Sequence, residues 1–181
     1  GQDYIVDGGC PFYTSSPEIR NRYRSTFAHS TLAVRGQEQD IWQKGIAGLF
    51  SLYETCNPQL KIDDTGKIEG KHDGFGDQRT RTFSLSLNKL EIYDYCAVKD
   101  DKYLLFNLDP KILVEDVWRR EKEVTVVLRD ENEGKIIMSI SGVEELELID
   151  GCFGQGFGLP IANTMLKFTM RENFAKTVFS W

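Results

Sequence analysis

Residues 123–149, EVTVVLRDENEGKIIMSISGVEELELI, constrain the fold of this chain more than any other stretch. Val124, Val126 and Leu128 alternate with Thr125, Val127 and Arg129, and Ile136, Met138 and Ile140 alternate with Ile137, Ser139 and Ser141. That is the period of two at which side chains change face along a strand. Residues 130–134, Asp-Glu-Asn-Glu-Gly, supply a turn, and Ser141-Gly142 supplies a second break before Val143-Glu144-Glu145-Leu146-Glu147-Leu148-Ile149. The segment is therefore expected to form a three-stranded antiparallel meander with one apolar face. Its inward residues are all aliphatic, so it reads as scaffold, and function is sought where it stops, at Asp150-Gly151-Cys152.

The rest of the chain repeats the theme. A hairpin is expected over residues 60–69, turning at Asp63-Asp64-Thr65-Gly66, followed by strands over 82–87, 90–96 and 103–108. Residues 111–118 read as a short helix or a crossing loop, and 165–171 and 175–181 as closing strands. Near the start, Tyr4-Ile5-Val6 suits a short strand. Thr14-Ser15-Ser16-Pro17-Glu18 then carries a helix-start signal in which Ser15 caps and Glu18 returns the bond. A strand running from Arg20 toward Val34 competes with that helix and would put Arg20, Arg22 and Arg24 on one face as an anion-binding row. Residues 37–53 read as a helix or turn to about Gly45 and a strand after Gly48. The sum is a mainly β chain of about 8–10 strands with one or two short N-terminal helices. It is expected as a single domain over residues 1–181, built as an antiparallel β-barrel of calycin type or a β-sandwich.

Composition narrows the partners. With 28 acidic against 22 basic residues and a net charge of -6, the chain has no general attraction for nucleic acid or an anionic membrane. No apolar run approaches the roughly 20 residues of a transmembrane helix. The four cysteines, Cys10, Cys56, Cys96 and Cys152, are too far apart for a zinc site built of close-spaced pairs. An even count, and a start at Gly1 without Met, point to a secreted or periplasmic protein with Cys10 joined to Cys152 and Cys56 to Cys96.

No motif carries a complete reaction. The glycine-rich stretch 151–158 has neither the spacing nor the following helix of a dinucleotide turn, and no Gly-Lys-Ser or Gly-Lys-Thr is present for a P-loop. The Asp63 turn resembles the middle of a calcium loop, but Lys61 and His72 stand where its outer carboxylates belong. His29 and His72 are the only histidines. No cofactor or metal is expected. The leading reading is a non-catalytic binding domain for a small or carbohydrate-like ligand, seated in a mouth between the loops 70–78 and 151–158. His72, Phe75, Asp77, Tyr93, Tyr95, Phe153, Gln155 and Phe157 are the candidate contacts. The alternative is a protein-interaction or inhibitor module, and the third reading a glycoside or cysteine-type hydrolase.

Overall fold

A computed structural model describes every residue from Gly1 to Trp181. In chain order the elements are β1 (Ile5–Val6), α1 (Pro17–Arg24), β2 (Leu32–Val34), β3 (Ile41–Trp42), β4 (Leu52–Tyr53), β5 (Gln59–Ile62), β6 (Ile68–His72), β7 (Arg79–Ser86) and β8 (Lys89–Cys96). They continue with β9 (Lys102–Leu108), β10 (Leu113–Arg120), β11 (Glu123–Arg129), β12 (Lys135–Ser141), β13 (Val143–Gly156), β14 (Leu159–Met170) and β15 (Phe174–Ser180). Single 3-10 turns lie at Thr26–Ala28 and Ala47–Phe50.

The strands form two antiparallel sheets and a small ribbon, β3-β4. The large sheet has eight strands in the order β10-β11-β12-β15-β8-β7-β6-β5. The small sheet runs β1-β9-β14-β13, with β2 also paired to β9. Its strands supply Leu104, Phe106, Leu166 and Phe168, which pack on Val126, Leu128, Met138, Ile140 and Phe179 of the large sheet in one cluster of 20 buried residues. Phe106 meets Phe168 of its own sheet edge-on at 6.2 Å and Phe179 of the other at 5.9 Å. That geometry is favoured by ring quadrupoles, and the contact to Phe179 ties the layers together. The architecture is a β-sandwich. A calycin-like barrel would need the large sheet to close on itself, and β10 and β5 are instead its two free edges.

The two sheets differ in width, and this positions everything described below. β5 and β6 contribute no buried residue. The inward face of the large sheet therefore continues past the small sheet as an overhang.

Three expectations are corrected here. The meander is broken: β11 and β12 pair in register as expected, with Val126 opposite Met138, but β13 crosses to the small sheet and pairs with β14. Gly142 makes the crossing, with φ +83°, and a Cβ there would stand 2.3 Å from the carbonyl oxygen of Phe174. Residues 111–118 are mostly strand β10, an exposed edge whose polar outer residues hid its period. The stretch 151–158 is the extended β13-β14 hairpin, turning at Phe157-Gly158, and not a flexible loop. Its glycines allow close approach: Gly154 donates its N–H to the carbonyl of Gly8, and a Cβ on it would lie 2.7 Å from Pro11 Cδ.

At the N-terminus the helix prevails over the strand. Ser16, one residue after the expected cap, accepts the Ile19 N–H, Pro17 opens α1, and Glu18 and Arg24 match the dipole at either end.

Replacing Phe168, fully buried between the sheets, with Ala should cost about 3–5 kcal/mol, read as a lower urea midpoint at unchanged slope. Gly142→Ala should also lower the midpoint, because both its φ and the Phe174 carbonyl oppose a side chain.

Candidate functional site

The overhang carries a groove of about 450 Å³. Its floor is the inward face of β6 and β7, and its wall is Thr31 and Gln39 from the N-terminal segment. Lys71, His72, Arg79 and Arg81 line it, with no carboxylate among the lining residues. Arg81 and Asp94 are opposite one another across β7 and β8 and form a bidentate pair at 2.8 and 3.0 Å. The remaining guanidinium nitrogen of Arg81 donates to the Ser30 carbonyl. Behind this pair lies an apolar slot of about 330 Å³ between the sheets, bounded by Phe83, Ile92, Phe106 and Phe179 and sharing Arg81 with the groove.

Arg79 differs from Arg81. It is 5% exposed, and its bonds run to Thr31 Oγ1 and toward His72 Nε2. It forms no ion pair. Burial, and then the neighbouring Arg81, lower its pKa to about 10, so it stays charged at neutral pH. A buried cation satisfied only by neutral groups is an uncommon arrangement, because its charge is left without a counter-charge in contact.

His72 answers to that cation. Burial, then Arg79, depress its pKa to about 4, leaving it neutral near pH 7. A neutral imidazole has one acceptor nitrogen. Here Nδ1 lies 3.1 Å from the Gly74 N–H and Nε2 lies 3.0 Å from an Arg79 nitrogen. If Nδ1 accepts from Gly74, the proton on Nε2 faces the Arg79 N–H, donor against donor. Phe75, buried and edge-on to the ring at 5.5 Å, fixes the imidazole's orientation.

A separate cleft of about 280 Å³ lies on the outer face of the small sheet, beneath α1 and the Thr26–Ala28 turn. Gly151 and Cys152 border it, so each of the two stretches singled out in the sequence borders a cavity, but not the same cavity. Asn107, 1% exposed, lines this cleft. Its Nδ2 donates to the Ala28 carbonyl, while its Oδ1 has no donor, a deficit of about 1–3 kcal/mol for a buried acceptor.

The predicted contacts are thus dispersed. His72 lines the groove, Phe75 supports it from the core, and Asp77 is an exposed turn residue capping the Gln78 N–H. Tyr93 and Tyr95 do share a face, but it is the outer one: Tyr93 lies opposite Thr82 and carries the Lys176 ammonium at 5.1 Å from its ring centre. Phe153 and Gln155 lie along β13, and exposed Phe157 stacks on Tyr13, which stacks on Phe50.

Arg20, Arg22 and Arg24 make no row of three, because on a helix Arg20 and Arg24, four residues apart, share one face and Arg22 lies on another. Arg20 and Arg24 donate to the carbonyls of Leu49 and Gly48, and Arg22 turns to the cleft beneath α1. The cysteines form no disulfide. Cys10 donates to the Phe12 carbonyl, Cys152 meets the Tyr23 hydroxyl and Cys56 donates to Asp40, while Cys96 is buried at the end of β8. Burial raises the pKa of both Cys56 and Cys96, which disfavours a thiolate. Sequence reasoning did not single out Arg79 and Arg81, which precede the strand expected from residue 82, or Asp94, which lies on the opposite face of its expected strand from Tyr93 and Tyr95. The available signal was phase: Arg79 and Arg81 are in step with Phe83, an inward residue.

The sequence as a whole matches one family model, described as heparinase II/III-like, C-terminal, over residues 1–181. The chain belongs to this heparinase II/III-like C-terminal family. No curated protein matches it in sequence. Among solved structures, it is similar to a heparinase III, the BT4657 gene product, with TM-score 0.72 and 14% identity. It is also similar to another heparinase III, with TM-score 0.70 and 16% identity. A heparan sulfate lyase, HepC from Pedobacter heparinus, is similar with TM-score 0.65 and 14% identity. In each case the match covers 99% of this chain and 28% of the other. The heparinase-like chain shares their fold at these identities and spans little more than a quarter of their length.

The depressed pKa of His72 sets a sign. Between about pH 4 and the ordinary 6.5, the unfolded chain binds the proton that folded His72 refuses, so stability falls as pH falls through that window. His72→Asn should flatten this part of the stability profile relative to the parent. His29, whose pKa is raised by its bond to Asp7, acts oppositely: its stabilisation is present below 6.5 and is lost as pH rises through its folded value.

Proposed function

We propose that this chain is the C-terminal β-sandwich portion of a longer carbohydrate-active enzyme, and that its overhang groove holds an acidic sugar of the polysaccharide. The observation that carries the reading is Arg79, a buried guanidinium without a carboxylate partner. A ligand carboxylate or sulfate would provide the missing counter-charge and accept from both Arg79 and His72 Nε2, resolving their donor conflict. The family membership and the printed names of the similar heparinases support an acidic carbohydrate over other anions. In this role the chain binds and orients substrate, and the reacting groups belong to the rest of the longer protein. A secreted or periplasmic location forms part of the proposal because such polysaccharides lie outside the cytoplasm. The cysteines, all free, no longer argue for it. A protein-facing surface is the second reading, favoured by the exposed Phe157-Tyr13-Phe50 stack.

Calorimetric titration with a heparan sulfate oligosaccharide tests the first reading, with an uncharged oligosaccharide of equal length as control. Arg79→Gln should weaken binding about 10–100-fold, the loss of roughly 1.5–3 kcal/mol in charge-assisted hydrogen bonds. Equal affinity of parent and variant, with folding intact, would overturn it.

A further inference from the structure

Both ring nitrogens of His72 point at groups that only donate. Nε2 lies 3.0 Å from an Arg79 nitrogen and Nδ1 lies 3.1 Å from the Gly74 N–H, while buried Phe75 holds the ring in this orientation. A second proton on the imidazole would set a cation directly against the Arg79 guanidinium. Lys71, from the same strand, adds a further positive charge to the groove, and Arg81 is already matched by Asp94. Two carboxylates act on the ring, and each is engaged elsewhere. Asp40, before β3, accepts from the Thr55 N–H, the Thr55 hydroxyl and Cys56 Sγ, and Asp73, after β6, accepts from the Asn57 amide. Neither lines the groove.

We propose that anion binding in the overhang groove is coupled to proton uptake by His72, so that acid tightens the groove's hold on a sulfate or carboxylate. The inference rests on the reading of the groove as an anion site and adds its regulation. An anion seated between Arg79 and His72 accepts from both and cancels the repulsion that keeps the free imidazole neutral. A counter-charge within about 4–6 Å raises such a midpoint by about 1–3 pH units. Loss of the Gly74 bond on protonation opposes the uptake, so the lower part of that range, about 1–2 pH units, is expected. The free midpoint is about 4. Because linkage is reciprocal, affinity is level above the bound midpoint, rises as pH falls between the bound and free midpoints, and levels again below the free one. Between about pH 6.5 and 4.5 the gain is roughly 3–20-fold.

The test follows the imidazole proton resonances of the only two histidines, His29 and His72, by NMR from neutral pH into acid. Titrations are run with and without saturating sodium sulfate or heparan sulfate oligosaccharide, at matched ionic strength. The midpoint of His72 should rise by about 1–2 pH units with the anion, and Arg79→Gln should abolish that rise. His29, bonded to Asp7, should titrate alike in both and serves as internal control. Calorimetry with the same anions should show the 3–20-fold tightening between about pH 6.5 and 4.5. Its loss in His72→Asn separates the imidazole from Asp40 and Asp73. If neither anion binds at any pH, the groove reading falls and this inference with it. Binding that leaves the His72 midpoint in place, or tightening that survives His72→Asn in full, would overturn proton coupling alone.

Discussion

The unequal width of the two sheets is the constraint on which the rest of the structure depends. An apolar core forms only where both sheets are present, so the inward face of β8, β15, β12 and β11 is mainly aliphatic and aromatic, from Ile92 to Val124, with Thr177 and Asp94 as its polar members. Where the small sheet stops, the same face has no apolar partner. Polar residues there must satisfy one another or face solvent. The change occurs within single strands: on β7, Phe83 packs against the core while Arg81 and Arg79, in phase with it, line the groove. The Arg81-Asp94 pair marks the boundary, with a side-chain exposure of 11% for the arginine and 1% for the aspartate. Removing one partner of such a pair strands a charge beside Phe106, typically a loss of about 3–5 kcal/mol, whereas replacing both need not cost stability.

The outer face of the small sheet poses a matching problem. Ala33, Tyr103, Leu105 and Met165 form a second, smaller buried cluster there, and no third sheet covers them. The N-terminal segment does so instead. Its turn brings Phe27 onto Tyr103, with ring centres 6.1 Å apart, and its earlier residues run along β13, where Gly154 leaves room for Pro11. Because a short helix and a turn cover a twisted sheet incompletely, a cleft remains between them.

How much of this was legible follows from which signals are local. The period of two in β12 appears directly in the sequence because one face is buried along the strand, whereas β9, buried at every position, reads as an apolar run. The destination of β13 does not, since Gly142 permits a turn in any direction and only the tertiary partner β14 selects it. The arginines of α1 show the limit of pattern: alternation of Arg20, Arg22 and Arg24 with Ile19, Asn21 and Tyr23 suits a strand, yet the cap at Ser16 and Pro17 start a helix. The glycines of 151–158 read as a loop in the sequence, yet the segment is a hairpin in which Gly154 is required for lack of volume. Neither the free Asn107 oxygen nor the carboxylate-free surroundings of Arg79 can be inferred from a sequence, because each is defined by neighbours distant in the chain.

Residues 28–31 join the two clefts physically. Asn107 holds this strap from one side, through the Ala28 carbonyl and the Ser30 hydroxyl. Arg81 and Arg79 hold it from the other, through the Ser30 carbonyl and the Thr31 hydroxyl. His29, between them, is bonded to Asp7. The groove's cations thus rest on the strap whose first residue, Ala28, lines the cleft beneath α1, although the cavities share no lining residue. An anion drawing Arg79 away from Thr31 would remove one of the strap's anchors and leave Asn107 and Arg81 to hold it.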